Sequence, residues 1–440
     1  MAVENTTALV SDEKSRVVGG LVAKGQRWVF LRKLDKKTDI CAIEAQKFDK
    51  TGELHQQIYP MASFKDVKVS TFGEDHDRSS VRVLYSPDST KVGLFINTNL
   101  GAKDKETFYV SVFNTKDMSK VWSQTVLSPY IESQYLWTKV CVNNAAQIVC
   151  NAYLLDLPIA MPTKTKLGYK YIIHTFDGKA PKGVETTVAL EGKFPMSCFI
   201  KINPDNDNTI VSGFYADEYY RMSNGVYFME IEKVTNKLVN SFVMPLPADQ
   251  IKNVSKFIVL KKENALWYDA KIQDVFVKKN GEIVFVSTNI RDEPIDTRAN
   301  IVQVKKTDCD IVVVTGSSKG ELRWATALPK HNETTLLERV GTFTVFNNDN
   351  LFLFYNDNVK NATADQSKEC EWLYNGINGG ILMAKIDTKG PVERKVLITY
   401  KESNDFIITP NQCLLTGKQE AVILMNGGAD VKIGKINILD

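Results

Sequence analysis

Histidines, nucleophiles and phosphate-binding glycines are the residues whose spacing would first indicate chemistry, and here they indicate little. The four histidines are His55, His76, His174 and His331. None stands in an HxxxH or HExxH pair, the spacings that place two zinc ligands on one side of a helix. The sequence also lacks a GxSxG nucleophile motif and a glycine-rich phosphate loop. It therefore predicts no catalytic residue, no metal site and no cofactor.

Clustered carboxylates are the remaining candidates for acid–base chemistry. Acidic pairs occur at 217–218, 292–293 and 369–371. A glycosidase uses two such carboxyl groups, which face each other across the bond that is cleaved. The same residues are also common as solvated side chains of surface loops. The sequence favours this second interpretation, and an enzyme is the less favoured class of protein.

Aromatic and arginine side chains indicate binding more than catalysis. The candidate binding residues are Tyr219, Tyr220, Arg221, Arg291, Arg298, Trp372 and Tyr374. They fall in three of four predicted long loops, at 154–167, 216–224, 289–309 and 358–379. Aromatic and arginine residues are enriched at protein interfaces, and flat rings also stack on sugars. Packing of these rings against the underlying scaffold is the structural alternative.

A repeated strand pattern is predicted to position these loops. Seven very apolar segments recur at intervals of 56 to 73 residues, starting at Trp28, Lys91, Gln147, Thr209, Glu282, Leu351 and Glu420. Turns rich in Asn, Asp and Gly separate each segment from flanking strand-like segments. Four antiparallel strands per repeat are typical of a propeller blade. The sequence therefore predicts an all-β fold, a seven-bladed β-propeller; separate β-sandwiches are disfavoured because no linker divides the repeats.

The predicted blades form one domain that covers the whole chain. They span 12–61, 78–130, 136–192, 197–247, 272–330, 338–400 and 403–440. The last copy ends after its third strand, whereas residues 5–10 are an unassigned strand-like segment. We predict that this N-terminal strand completes the last blade, because closure removes two exposed sheet edges. Residues 249–271 interrupt the repeat with partly helical spacing, which predicts a short helical insertion.

Composition and charge exclude several classes of partner. Basic and acidic residues number 55 and 52, for a net charge of +3, and no basic run stands out. Nucleic acid is therefore not expected as a partner. The longest apolar stretches are strand-sized, which predicts a soluble chain without a membrane-spanning segment. Most of the seven cysteines lie in apolar strand patterns and are expected to be buried thiols.

Segments from the fifth repeat onward carry a family resemblance. They are 310–314, 322–325, 353–358, 405–408 and 432–436. In this order they resemble a poorly characterised family of exported β-propeller-like proteins of Bacteroidota. The resemblance implies a periplasmic or cell-envelope location, although the sequence as written has no signal peptide. It brings no catalytic residues to transfer.

These observations lead to one functional hypothesis and two alternatives. The favoured hypothesis is a non-catalytic protein–protein interaction scaffold of a bacterial cell envelope. Its long-loop face would bind another protein, such as a component of a periplasmic or outer-membrane complex. The first alternative is a carbohydrate-binding or glycoside-cleaving propeller that acts at the central mouth of the ring. The second is a cytoplasmic propeller within a larger complex, which suits the free thiols.

Overall fold

The computed structural model describes most of the chain. The described residues are 15–23, 26–35, 37–38, 40–49, 53–65, 81–97, 105–131, 134–155, 168–218, 222–254, 259–260, 265–266, 270–295, 303–334, 340–347, 349–363, 370–374, 376–387, 392–403, 406–410, 413–415, 420–427 and 430–437. The predicted closing strand at residues 5–10 lies outside them.

The first four large sheets follow one another along the chain. Sheet one contains β1 (Ser15–Ala23), β2 (Gln26–Asp35), β3 (Ile40–Phe48) and β4 (Leu54–Lys65). Sheet two contains β5 (Val81–Tyr85), β6 (Lys91–Asn97), β7 (Lys105–Asn114) and β8 (Lys120–Ile131). Sheet three contains β9 (Tyr135–Val142), β10 (Ile148–Leu155), β11 (Tyr169–Phe176) and β12 (Val184–Thr187). Sheet four contains β13 (Phe194–Pro195), β14 (Phe199–Ile202), β15 (Thr209–Ala216), β16 (Gly225–Ile231) and β17 (Leu238–Pro245).

The remaining strands form three large sheets and one small one. Sheet five contains β18 (Ile251–Lys252), β21 (Ala270–Val277), β22 (Ile283–Ile295), β23 (Gln303–Gly316), β24 (Leu322–Thr334) and β27 (Leu373–Tyr374). Sheet six contains β25 (Phe343–Asn347), β26 (Asn350–Asn358), β28 (Gly379–Ile386) and β29 (Val392–Thr399). Sheet seven contains β30 (Ile407–Ile408), β31 (Leu414–Leu415), β32 (Glu420–Gly427) and β33 (Asp430–Asn437). The small sheet pairs β19 (Val259–Leu260) with β20 (Ala265–Leu266).

Hydrophobic clusters fill the spaces between consecutive sheets. Phe30 of sheet one shares a cluster with Leu94 of sheet two. The same relation links every later pair of consecutive sheets, through five further clusters. Middle strands are therefore buried on both sides, as in β15, where all eight residues are buried. Four-stranded antiparallel sheets stacked face to face in chain order are the architecture of a β-propeller.

The innermost strands of neighbouring sheets contact one another through cation–π pairs. In each pair, a basic side chain of one sheet lies over an aromatic ring of the next. The pairs are Arg82 over Trp137 at 5.3 Å, Lys139 over Phe199 at 3.7 Å and Lys201 over Phe276 at 4.0 Å from the ring centroid. These contacts link sheets two to five through their inner strands.

The predicted helical insertion at 249–271 is wrong for the described residues. They form a 3₁₀ turn at Ala248–Gln250, the short strand β18 and the β19–β20 pair. β18 pairs in parallel with β24, at the outer edge of sheet five, and Ile251 enters the hydrophobic core. Backbone pairing to an available sheet edge, with burial of Ile251, therefore outweighs the weak helical spacing. No described helix is long and apolar enough to cross a membrane.

A close backbone approach in sheet four requires glycine at position 213. Both β13 and β14 pair with β15, and the chain between them bulges toward Gly213. A Cβ atom at this position would lie 1.9 Å from the carbonyl oxygen of Ser197. That oxygen also accepts a hydrogen bond from the Tyr227 hydroxyl at 2.7 Å, which holds it in place.

We therefore expect Gly213→Ala to lower the free energy of unfolding by about 1–3 kcal/mol, because the bulge must move to make room. Urea denaturation of the native protein and the variant measures this change. Gly20→Ala is the matched control, since a Cβ there meets only an ordinary contact of 3.6 Å. Equal losses of stability in the two variants would contradict the role assigned to the bulge.

Candidate functional site

Sheet five continues past its blade as a three-stranded extension. β22 and β23 stay paired from Asn289↔Cys309 to Ile295↔Gln303, and β24 follows β23 to Thr334. The predicted loop at 289–309 is wrong for the described residues, which continue the strands β22 and β23. These segments are rich in polar residues and lack the apolar run of the remaining part of each strand, so their composition predicts a loop.

One face of the extension collects polar side chains from three strands. The register places Cys309 opposite both Asn289 and His331, and Thr307 opposite both Arg291 and Glu333. Since side chains two residues apart share a face, these six residues lie together. Two of their polar atoms, Asn289 Nδ2 and Thr307 Oγ1, are buried and have no hydrogen-bond partner among the described residues.

A distant segment adds an aromatic ring to this face. β27 runs parallel to the outer edge of β24, with Asn332 opposite Leu373. The preceding residue, Trp372, stacks on His331 with ring centroids 4.0 Å apart and planes 16° apart. Trp372 keeps 50% of its surface exposed, so the indole is supported by the imidazole and still accessible to solvent. We call the stacked rings of Trp372 and His331, together with the neighbouring carboxylate of Glu333, the aromatic platform.

Charged side chains surround the imidazole of the platform. His331 Nε2 lies 3.3 Å from Glu333 Oε1, and Lys305 Nζ lies 3.4 Å from the same oxygen. Burial lowers the pKa of His331 below its usual value, the charges of Lys305 and Arg291 lower it further, and Glu333 opposes them. The ring is therefore neutral at pH 7, which lets it stack on the indole without burying a charge.

The loop that carries Trp372 is anchored by two asparagine side chains. Asn358 caps a 3₁₀ turn at Val359–Ala362 and donates from Nδ2 to the carbonyl oxygen of Trp372 at 3.0 Å. Asn361 Nδ2 donates to the carbonyl oxygen of Glu371 at 2.8 Å, and Asn361 Oδ1 accepts from its N–H at 2.8 Å. The backbone on the N-terminal side of β27 is therefore held by Asn358, at the end of β26, and by Asn361 of the 3₁₀ turn.

A buried ion pair lies on the opposite face of the extension. Lys330 Nζ donates to Asp308 Oδ2 at 2.5 Å, and both side chains are 0% exposed. The same carboxylate oxygen accepts from the Gly341 N–H at 2.7 Å, which ties sheet five to the start of sheet six. Burial raises the pKa of Asp308, and the charge of Lys330 is the largest effect against it. The pair is therefore a structural tie that a ligand cannot reach.

Three of the seven candidate binding residues are described by the structure. Arg291 and Trp372 both lie on the platform side of the extension, and Tyr374 lies in β27, opposite Glu333 in the backbone register. The other four candidates lie outside the described residues, and they are Tyr219, Tyr220, Arg221 and Arg298. His331 and Glu333 were not among the predicted site residues, because the segment 330–334 is polar throughout and shows no strand pattern.

The first, innermost strands of the sheets carry few side chains that could act in catalysis, as far as they are described. Lys201 Nζ donates to Asp274 Oδ1 at 2.6 Å, and the Thr344 hydroxyl donates to the other oxygen of Asp274. Asp274 is the only acidic residue of the described first strands, so a carboxylate pair of the kind a glycosidase uses is not found on them. Nor do the described residues contain a group of three potential metal ligands.

Comparison with known proteins gives structural similarities alone. No protein-family model matches the sequence, and no curated protein matches it. The polysaccharide lyase Uly1 is similar, with a TM-score of 0.47 at 12% identity over 96% of this chain and 90% of that one. The β-propeller domain of the Trilobed protease from Pyrococcus furiosus gives 0.41 at 9% identity over 98% and 97%. An α-L-arabinanase of Penicillium chrysogenum, complexed with arabinobiose, gives 0.36 at 8% identity over 100% and 99%. Similarity at this level carries no conclusion about function.

Proposed function

We propose that this protein is a carbohydrate-binding β-propeller whose saccharide contacts the aromatic platform. The observation that carries the proposal is Trp372, half exposed and held flat against His331. A flat apolar ring stacks on the C–H face of a sugar, while neighbouring polar groups hydrogen-bond its hydroxyls. Arg291 and Glu333 on the same face of the extension supply such groups.

Binding suits the described residues better than cleavage does. Among the described residues, the carboxyl groups with raised pKa values are those of Asp308 and Asp357, and both are fully buried, so they cannot reach a substrate. The acid on the inner strands, Asp274, is already engaged by Lys201 and Thr344. Hydrolysis by the usual route needs one carboxyl group to donate a proton and a second as base or nucleophile.

A protein partner is the second candidate function, favoured by one observation. Ile377, on the loop that carries Trp372, is 67% exposed. Two exposed apolar side chains on one loop suit a protein partner's pocket better than they suit a sugar. A location in a bacterial cell envelope, implied by the resemblance to exported proteins of Bacteroidota, gives access to either ligand and is part of this proposal.

A ligand screen with the native protein tests the carbohydrate proposal. Calorimetric titration with soluble β-glucan, mannan, arabinan and polygalacturonate should give saturable binding to at least one polymer, without release of reducing ends. Absence of binding to all four, together with stoichiometric capture of an envelope protein that depends on Ile377, would replace the carbohydrate proposal with the protein-scaffold one.

We also propose that the seven large sheets close into a seven-bladed ring through the N-terminal strand. β30 and β31 both pair with one side of β32, and β33 pairs with its other side. No described strand lies on the far side of β33, which leaves the fourth position of sheet seven for residues 5–10. Filling that edge would protect its backbone groups from pairing with another chain.

Deletion of residues 1–12 tests this closure. Because every blade packs on two neighbours, loss of the closing strand should lower the melting temperature of the whole ring by roughly 5 °C or more, in one transition. Differential scanning calorimetry measures the shift, with deletion of residues 1–4 as the control. An unchanged melting temperature, or an early transition confined to a small part of the enthalpy, would contradict closure by this strand.

A further inference from the structure

A hydrogen-bond chain connects the Trp372 loop to a buried carboxyl group. Asp357, at the end of β26, accepts at Oδ1 from the Asn358 N–H at 2.8 Å and from Asn361 Nδ2 at 3.0 Å. Asn361 Nδ2 also donates to the carbonyl oxygen of Glu371, the residue before Trp372. One amide group therefore joins the carboxyl group of Asp357 to the backbone that presents the indole.

The geometry leaves Asn361 little freedom. Its side chain is fully buried, and its amide oxygen is taken by the Glu371 N–H. Its two amide hydrogens match the two acceptors, one on Asp357 and one on Glu371. Alanine at this position would remove one hydrogen bond to the buried carboxyl group of Asp357 and would leave the N–H and carbonyl groups of Glu371 without these partners.

We infer that Asn361 is a positioning residue for Trp372, and that protonation of Asp357 controls how firmly it holds the platform. The consequence for ligand affinity rests on the function proposed above, whereas the positioning itself does not. Ionised Asp357 accepts charge-assisted hydrogen bonds, which are stronger than those to a neutral acid. The platform is therefore held more firmly when Asp357 is ionised than when it is protonated.

The surroundings of Asp357 place this change near neutral pH. Burial raises the pKa of Asp357 to about 7, against the lowering effects of Lys330, the hydrogen bonds and Arg394. Its second oxygen, Oδ2, is buried without a partner among the described residues and can carry the proton. The titratable or charged groups that act on Asp357 or respond to its charge are Lys330, Arg394, Tyr355 and Cys370. Burial raises the pKa of Tyr355 and Cys370 far above 7, so neither titrates in this range.

Acrylamide quenching of Trp372 fluorescence tests the inference without any ligand. The Trp372 signal is obtained by subtracting the emission of the Trp372→Phe variant from that of the protein under study. The quenching constant of Trp372 in the native protein should fall between pH 6 and pH 8, as Asp357 ionises. Asp357→Asn should remove this change and keep any change at lower pH that comes from His331, whose pKa burial lowers.

Asn361→Ala should raise the quenching constant of Trp372 at pH 8 by at least about twofold, because loss of its hydrogen bonds increases the population of displaced loops. Asn206→Ala is the matched control, since it removes an exposed hydrogen bond to Glu230 in sheet four. A flat native profile between pH 6 and pH 8, or a profile unchanged in Asp357→Asn, would overturn the inference. The native profile needs no destabilised variant, so the test holds even where Asn361→Ala does not fold.

Discussion

Lys330→Ala should lower the free energy of unfolding by about 3–5 kcal/mol at pH 7, because it leaves a buried carboxylate without its counter-ion. Lys330 and Asp308 are both fully buried, and the Gly341 N–H is the other hydrogen-bond donor to that carboxylate among the described residues. Removal of the ammonium group also withdraws the positive charge that lowers the pKa of Asp357. The pKa values of both Asp308 and Asp357 would therefore rise in the variant.

The pH dependence of this loss has a definite sign. Without Lys330, the pKa of Asp308 in the folded state rises further above its unfolded value, since burial alone already raises it. Stability is then present below the unfolded pKa of about 4 and is lost as pH rises above it. The variant should therefore approach the native stability near pH 4 and fall well below it at pH 7.

Urea denaturation at the two pH values measures the effect. The double variant Asp308→Leu with Lys330→Met is the control, because replacing both partners removes the uncompensated charge and should recover much of the loss. A loss for Lys330→Ala of less than about 1 kcal/mol, equal at pH 4 and pH 7, would show that the ion pair does not hold sheets five and six together.

Trp372→Ala should weaken saccharide binding by about ten- to a hundredfold, which corresponds to about 1.4–2.7 kcal/mol. The indole offers a half-exposed apolar face, and truncation of a central aromatic contact commonly costs this much. Trp372→Phe should lose less, because a smaller flat ring remains above His331. Calorimetric titration with the polymer bound by the native protein measures both variants.

Ile377→Ala is the informative control for this prediction. Ile377 lies on the same loop and is more exposed than Trp372, but it has no flat ring to stack on a sugar. We expect its replacement to change the affinity for a polysaccharide less than twofold, as surface substitutions away from the contact usually do. A larger effect at Ile377 than at Trp372 would show that the indole is not the main contact of the polysaccharide and would contradict the aromatic platform as its site.

The repeated strands could be predicted from the sequence because every blade must satisfy the same packing requirement. A middle strand lies between two sheets, so it must be apolar on both faces, and such runs stand out in the sequence. β15 and β26 are examples of strands whose apolar runs begin at the predicted starts or next to them. The insertion at 249–271 was misread because Ile251 is apolar for a tertiary reason, the edge of β24, which local spacing does not encode.

The aromatic platform could be predicted only in part. Trp372 was a candidate because it lies in a predicted long loop and aromatic residues are enriched at interfaces. Its partner His331 was not, because the two rings meet through parallel pairing of β27 with β24, segments that are about 40 residues apart in the sequence. Asn361 and Asp357 were hidden for a similar reason, since a hydrogen-bond chain among buried polar groups leaves no periodic pattern.

The most direct test of the proposed function follows the indole signals of ¹⁵N-tryptophan-labelled protein during addition of the bound saccharide. The chain has six tryptophans, and loss of one signal in Trp372→Phe assigns that of Trp372. We predict that the Trp372 signal shifts progressively to saturation while those of buried Trp28 and Trp137 stay in place. Saturable binding with no change at Trp372 would place the ligand elsewhere and contradict the platform as the carbohydrate site.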